Sequence, residues 1–227
     1  MKILKNLILL GTLGASLSCF GAGGITEVEM KVEMKPVPLY KIINGFNVSN
    51  TNKEWMVINL SYKMPSRPSR VKNKPYSFLD NPYIEWEVLS HLYIGKKRVL
   101  GKLTGKTTYW AIPIDGKKHK ALAVVPPIVM ERYFLTKGKI MTALNKSIYV
   151  KATLYTSDGR VLATWFSSNS AGKKGSSDRS NIKGLFRKID NKQDVVTIKG
   201  AIYPKNKSAW SFINIQQYDL IKEEDVK

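Results

Sequence analysis

The sequence predicts an all-β protein, an antiparallel sandwich of two sheets carrying one or two short helices. Three observations predict it. Apolar and polar residues alternate with period two in several separate segments, as strands with one buried face require. Turn signals, among them Gly95-Lys-Lys97, Asp115-Gly116 and Asp158-Gly159, separate those segments at hairpin spacing. No continuous apolar strands joined by long helices occur, which argues against a parallel α/β fold. With 227 residues, 43% of them hydrophobic and 10% aromatic, the chain can bury a sizeable core.

The first element belongs to no sheet. Lys2 and Lys5 precede an apolar stretch from Leu7 to Leu17, which closes on the small residues Gly21 and Ala22. A basic start, a short apolar run and a small-residue exit describe a secretory signal peptide. The run is interrupted by glycines and falls short of the roughly 20 residues that a membrane span needs. Residues 1–22 are therefore expected to be removed, leaving 23–227 as one β-sandwich domain. That places the mature chain in the periplasm, at the outer membrane or on the cell surface. Cys19 raises lipidation, but Ser16 stands where a lipoprotein signal carries leucine, and ordinary cleavage near Ala22 is the favoured reading. One cysteine supports neither a disulfide framework nor a zinc or iron–sulfur site.

The strands follow in order. Val28, Met30, Val32 and Met34 alternate with Glu27, Glu29, Lys31 and Glu33, and Pro36 and Pro38 close the segment. Met56, Ile58, Leu60 and Tyr62 repeat the pattern as far as Pro65. The basic, proline-rich stretch 65–75 has no core-forming pattern and reads as a surface loop. Ile84, Trp86 and Val88 alternate with Glu85 and Glu87. Short strands are expected near 92–94, 98–100, 107–112 and 122–125. Pro126-Pro127, a basic late turn and Gly138 suit a short helix over 128–135. Ile148, Val150, Ala152 and Leu154, then the Asp158-Gly159 turn, then Val161, Ala163 and Trp165 make the clearest hairpin. A mobile Ser/Gly/Lys loop is expected over 169–180, a short helix over 182–189, and closing strands over 195–203 and 210–215. Two packed sheets of this kind point to an immunoglobulin-like arrangement, with a small β-barrel as its rival.

Chemistry is constrained by what is scarce. His91 and His119 are the only imidazoles, and both are read as exposed turn residues without an accompanying Gly-x-Ser-x-Gly elbow. Glu85 and Glu87 share a strand face, as do Glu27, Glu29 and Glu33, and they are read as solvent faces paired with lysines across the sheet. Trp86 falls on the face opposite Glu85 and Glu87, which argues against a sugar-cleaving site there. Gly101-Lys-Leu-Thr-Gly-Lys-Thr107 has one residue too few for a phosphate loop and lies among strands. No catalytic residue, metal site or cofactor is assigned, and a hydrolase ranks third among functions.

Charge is abundant. There are 37 Lys and Arg against 17 Asp and Glu, a formal net charge of +20. From Lys63 to Lys120 there are 13 basic residues against four acidic ones, and from Lys146 to Lys199 there are 11 against four. Such a surface attracts acidic glycans or anionic lipid headgroups, and nucleic acid is not the expected partner of an exported chain. Lys96, Lys97 and Arg98, with Lys117, Lys118 and Lys120, form the candidate polyanion patch, in two turns expected to share one end of the sandwich. Tyr93, Tyr149 and Tyr155 are candidate stacking platforms, and Trp55, Trp86, Trp110, Trp165 and Trp210 are expected as core anchors.

The export signal, the cysteine-free β-rich body, Trp86-Glu-Val-Leu89 and Pro126-Pro-Ile-Val-Met-Glu-Arg-Tyr-Phe134 together resemble small exported proteins of mucin-colonising Verrucomicrobia that are associated with type IV pilus-like gene clusters. The likeness spans the mature chain and rests on no ligand signature. It implies an immunoglobulin-like domain at the outer membrane or cell surface, working in pilus-like assembly or host contact through envelope or pilus-like protein partners. A pilin proper carries a long apolar N-terminal helix that is missing here, so the implied role is accessory. The leading expectation is a non-enzymatic surface protein acting through protein contacts; the alternative is a binding module for acidic glycans or other polyanions.

Overall fold

The alternating segments become strands that bury one face each. The computed structural model describes residues 24–36, 54–66, 77–134, 148–168, 176–190, 195–211, 219 and 221–222. The expected signal segment, Cys19, most of the proline-rich loop and most of the 210–215 strand lie outside them. In one sheet β1 (Thr26–Pro36) pairs antiparallel with β2 (Glu54–Lys63), β2 with β7 (Lys118–Val125), and β7 with the two-residue β11 (Tyr203–Pro204). In the other, β4 (Tyr83–Ile94) lies between β5 (Lys97–Thr108) and β8 (Tyr149–Tyr155). Beyond them β9 (Val161–Ser168) pairs with β8, and β10 (Val196–Ile198) runs parallel to β5. A small arm, β3 (Phe78–Asp80) with β6 (Ala111–Pro113), extends the β4–β5 ladder.

The two sheets close on each other as a sandwich. Met56, Ile58, Leu60 and Tyr62 of β2 and Ala121, Ala123 and Val125 of β7 meet Ile84, Trp86 and Val88 of β4 and Val150, Ala152 and Leu154 of β8 in one buried cluster. Trp86 lies at its centre, where its indole Nε1–H donates to Thr107 Oγ1 at 3.0 Å, so the one polar group of that side chain is not stranded.

Several expectations are corrected. The segments 84–88 and 92–94 are a single twelve-residue strand; 98–100 lies in β5, which runs on to Thr108, and 111–112 belongs to β6. The reason is that Leu89 and Ser90 are both buried, one against a helix and one toward the core side, which erases the alternation. β7 is a continuous apolar run because both its faces are covered: Leu122 and Val124 point outward and pack, with Val57, under Trp210. Residues 195–203 are not one strand, since the Lys199-Gly200 turn carries the chain from one sheet to the other.

Among the described residues two α-helices flank the sheets. α1 (Pro127–Phe134) matches the expected 128–135 helix and buries Met130 and Phe134 in the core. α2 (Ser176–Asp190) begins well before the expected 182, inside the stretch read as a loop. Its apolar side, Ile182, Phe186 and Ile189, covers Leu89 on the outer face of the β4–β5 sheet. Trp110 departs from the expected core role and is 56% exposed.

Candidate functional site

The outer face of the five-stranded sheet divides into two halves. α2 covers the half that carries Leu89, Leu100 and Tyr149. At the edge of this cover the side chains turn charged. Glu87 sits between Lys102 at 2.9 Å and Lys151 at 2.6 Å, and Asp190, the last residue of α2, receives Lys102 at 3.1 Å. These four groups close a ring that pins the helix end to the sheet. The expected pairing of Glu85 and Glu87 with lysines across the sheet holds for Glu87.

Beyond the ring the sheet face is open. A cleft of about 610 Å³ has Glu85, Thr104, Lys106 and Thr108 on its floor. The alternation of β4 and β5 places them there, because Glu85 is the register partner of Lys106 and Glu87 that of Thr104. Lys106 lies 4.1 Å above the ring of Tyr83, which in turn stacks on Tyr155. Burial and the charge of Glu85 push the Tyr155 phenol up to about 12, so it stays a proton donor at any ordinary pH.

The cleft walls come from far along the chain. After β10, Ala201 N and Ile202 N both donate to Thr104 O, at 3.0 and 3.3 Å, and strap the crossing chain onto β5. Gly105 permits this approach: a Cβ there would stand 2.1 Å from the Ile202 carbonyl oxygen. The crossing brings Lys199, Tyr203 and Lys207 to one wall. The opposite lip is Ile221 and Lys222, held by Lys222 N donating to Thr108 O at 2.7 Å. The Lys222 ammonium donates to Asn81 Oδ1 and lies 4.8 Å from the Trp110 ring centre, both neutral partners that leave its charge in place.

A second cluster fastens the same C-terminal segment. His119 stands between two carboxylates, with Nδ1 2.9 Å from Asp219 Oδ1 and Nε2 3.1 Å from Asp115 Oδ1. It is 8% exposed and stacks against Tyr62. Burial works against its charge, but the two carboxylates outweigh that and raise it above the ordinary imidazole value. Asp115 moves the opposite way: burial disfavours its charge, but the Lys117 N–H and His119 outweigh that and lower it below the ordinary carboxylate value. The expectation of an exposed turn residue is corrected: His119 is a buried residue of β7 with both ring nitrogens occupied. His91 lies on β4, exposed, rather than in a turn. The two carboxylates sit on opposite ring nitrogens and do not converge, and among the described residues no group of three or more His, Cys, Asp or Glu is placed to hold a metal ion.

The six cations singled out from the sequence separate. Lys96, Lys97 and Arg98 are exposed at the β4–β5 turn. Lys117, Lys118 and Lys120 lie at the start of β7, where Lys118 pairs with Glu27 at 3.2 Å. One antiparallel ladder runs from Ile94↔Lys97 through Tyr83↔Thr108 to Phe78↔Pro113, so the two turns lie at its opposite ends rather than sharing one. Of the tyrosines expected as platforms, Tyr149 packs under α2 and Tyr155 stacks on Tyr83. The cleft lysines 199, 207 and 222 were missed because no local pattern in the sequence connects them.

A protein-family model for pilus-associated proteins matches residues 22–225. The chain belongs to that family. Its β-rich body agrees with a crystal structure from Akkermansia muciniphila, matched at a TM-score of 0.59 and 14% identity over 89% of this chain and 94% of that one. At that identity the likeness speaks for the fold. Among curated proteins none matches the chain. Among the described residues no helix is long and apolar enough to cross a membrane.

Proposed function

We propose that the chain is an exported accessory component of a pilus-like assembly or of host contact, working at the cell envelope through protein contacts and not as an enzyme. The observation that carries this is the family match across 22–225. In this reading residues 1–22 are the export signal and the rest is a single immunoglobulin-like sandwich. The order β1-β2-β7 on one sheet and β9-β8-β4-β5 on the other supports that arrangement. The occupied nitrogens of His119 favour a structural role for the histidine and so support the non-enzymatic reading.

Affinity capture of the tagged mature chain from cross-linked envelopes tests the proposal. Enrichment of pilus-like subunits is expected. Recovery of no envelope protein above background would overturn it.

A second reading, polyanion binding by Lys96, Lys97 and Arg98 or by Lys117, Lys118 and Lys120, is favoured by the exposure of the β4–β5 turn. With the two groups at opposite ends of the ladder, each must act alone. Neutralising either triplet is then expected to lower the salt needed for elution from heparin independently of the other.

A further inference from the structure

We infer that the cleft over β4 and β5 is a binding site for an acidic saccharide unit, one that carries a carboxylate or sulfate beside free hydroxyls. The inference rests on the cleft alone and stands apart from the role in assembly. Two kinds of recognition group face the same space. Lys106, Lys199, Lys207 and Lys222 are cationic donors, while Glu85 and the threonine hydroxyls of the floor are acceptors. A plain polyanion satisfies only the first set and is repelled by Glu85. A sugar acid satisfies both: its anionic group meets the ammonium groups, and its hydroxyls donate to the carboxylate.

The charge balance at the walls supports this. Lys102 is neutralised by Glu87 and Asp190 and belongs to the ring that holds α2. Among the described residues, neither Lys199 nor Lys207 has a carboxylate within ion-pair distance. The Lys222 ammonium is held by neutral groups. Among the described residues, Lys199 and Lys207 on one stretch of chain and Lys222 on another thus face the cleft without a paired carboxylate. Tyr203, 36% exposed, gives the same wall an aromatic surface on which a sugar ring can rest. The volume, about 610 Å³, lies within the roughly 300–1,000 Å³ of small-ligand sites.

An acidic peptide is the competing occupant, and the backbone argues against it. Peptides bind sheets of this kind by adding a strand to an open edge. The β5 edge beside the cleft is already closed, by β10 along Gly101–Leu103 and by Ala201 and Ile202 at Thr104. A peptide would have to bind through side chains only, over a floor made by Glu85, Thr104, Lys106 and Thr108.

Isothermal titration of the mature chain with sialyllactose, a sulfated chondroitin disaccharide, uncharged lactose and hexaglutamate tests the site. Binding of at least one acidic saccharide is expected, with lactose at least about tenfold weaker. The double substitution Lys199→Gln/Lys207→Gln should weaken the acidic sugar about tenfold or more, equivalent to about 1.4 kcal/mol. Glu85→Gln should weaken the sugar while leaving hexaglutamate unchanged or tighter. Lys96→Gln/Lys97→Gln, at the far end of the ladder, should leave sugar binding as it is. Backbone amide shifts at Thr104, Thr197 and Tyr203 on titrating the unsubstituted chain give a readout that needs no variant. Hexaglutamate binding as tightly as the sugars with no effect of Glu85→Gln would overturn the inference in favour of a peptide site. No heat and no amide shift with either acidic saccharide would overturn it outright.

Discussion

His119 Nδ1 lies 2.9 Å from Asp219 Oδ1, a contact that ties the start of β7 to a residue 100 positions further along the chain. A ring that faces carboxylates from both nitrogens donates from both, and it must be protonated to do so. The raised His119 therefore stabilises the fold fully below the ordinary imidazole value near ~6.5, and that contribution is lost as pH rises through its raised value. Asp115, lowered, sets the other limit: its contribution is present above the ordinary carboxylate range and is lost as pH falls through its own lowered value. Urea denaturation from pH 4 to 9 should show greatest stability between these limits. Asp219→Asn should flatten the alkaline limb and cost about 1.5–3 kcal/mol at pH 6, as for other hydrogen bonds to charged groups.

The buried indole of Trp86 has one partner, Thr107 Oγ1. Thr107→Val keeps the volume and removes the acceptor, which should cost about 1–3 kcal/mol. Thr107→Ser keeps the acceptor and should cost less. Urea midpoints of the two variants at matched slope decide it; equal losses would mean that packing, not the hydrogen bond, sets the effect.

Two glycines should respond oppositely to alanine. At Gly105 the new Cβ would collide with the Ile202 carbonyl, so Gly105→Ala should loosen the strap between the sheets and lower thermal stability. At Gly184, within α2, nothing lies within 4 Å of the added carbon. Gly184→Ala should raise stability by up to about 1 kcal/mol. Thermal melts of both variants check the pair.

Glu87 holds two lysines at once and, through Lys102, the end of α2. Glu87→Gln leaves Lys102 and Lys151 facing each other with only Asp190 between them. A loss of about 2 kcal/mol is expected, with amide exchange rising first at Arg187 to Asp190. Unchanged exchange there would show that the apolar face of α2 alone fixes the helix.

The sheets were legible in the sequence wherever one face is buried and the other wet. That condition holds in β1, in β2 apart from Val57, in the first half of β4 and in most of the β8–β9 hairpin, where the alternation gives the strand and most of its inward residues; Val161, expected inward, is 55% exposed at the start of β9. It fails where a third layer covers the sheet. Leu89 is buried under α2 and Leu122 and Val124 under Trp210, so the period-two signal breaks although the strand continues. Glu85 and Glu87 were visible as a charged strand face, but what shares that face was not. Lys199, Lys207 and Lys222 reach it only because the chain crosses from one sheet to the other over Gly105. The clamp on His119 was hidden for the same reason, since nothing near residue 119 points to residue 219.

The account depends on a folded sheet body being delivered to the envelope after loss of its leading segment. Intact-mass and N-terminal peptide analysis of the protein from fractionated cells measures this directly. The account predicts a chain that starts close to Gly23 and is found with the envelope. A chain that still carries Met1 and is recovered from the cytosol would contradict it.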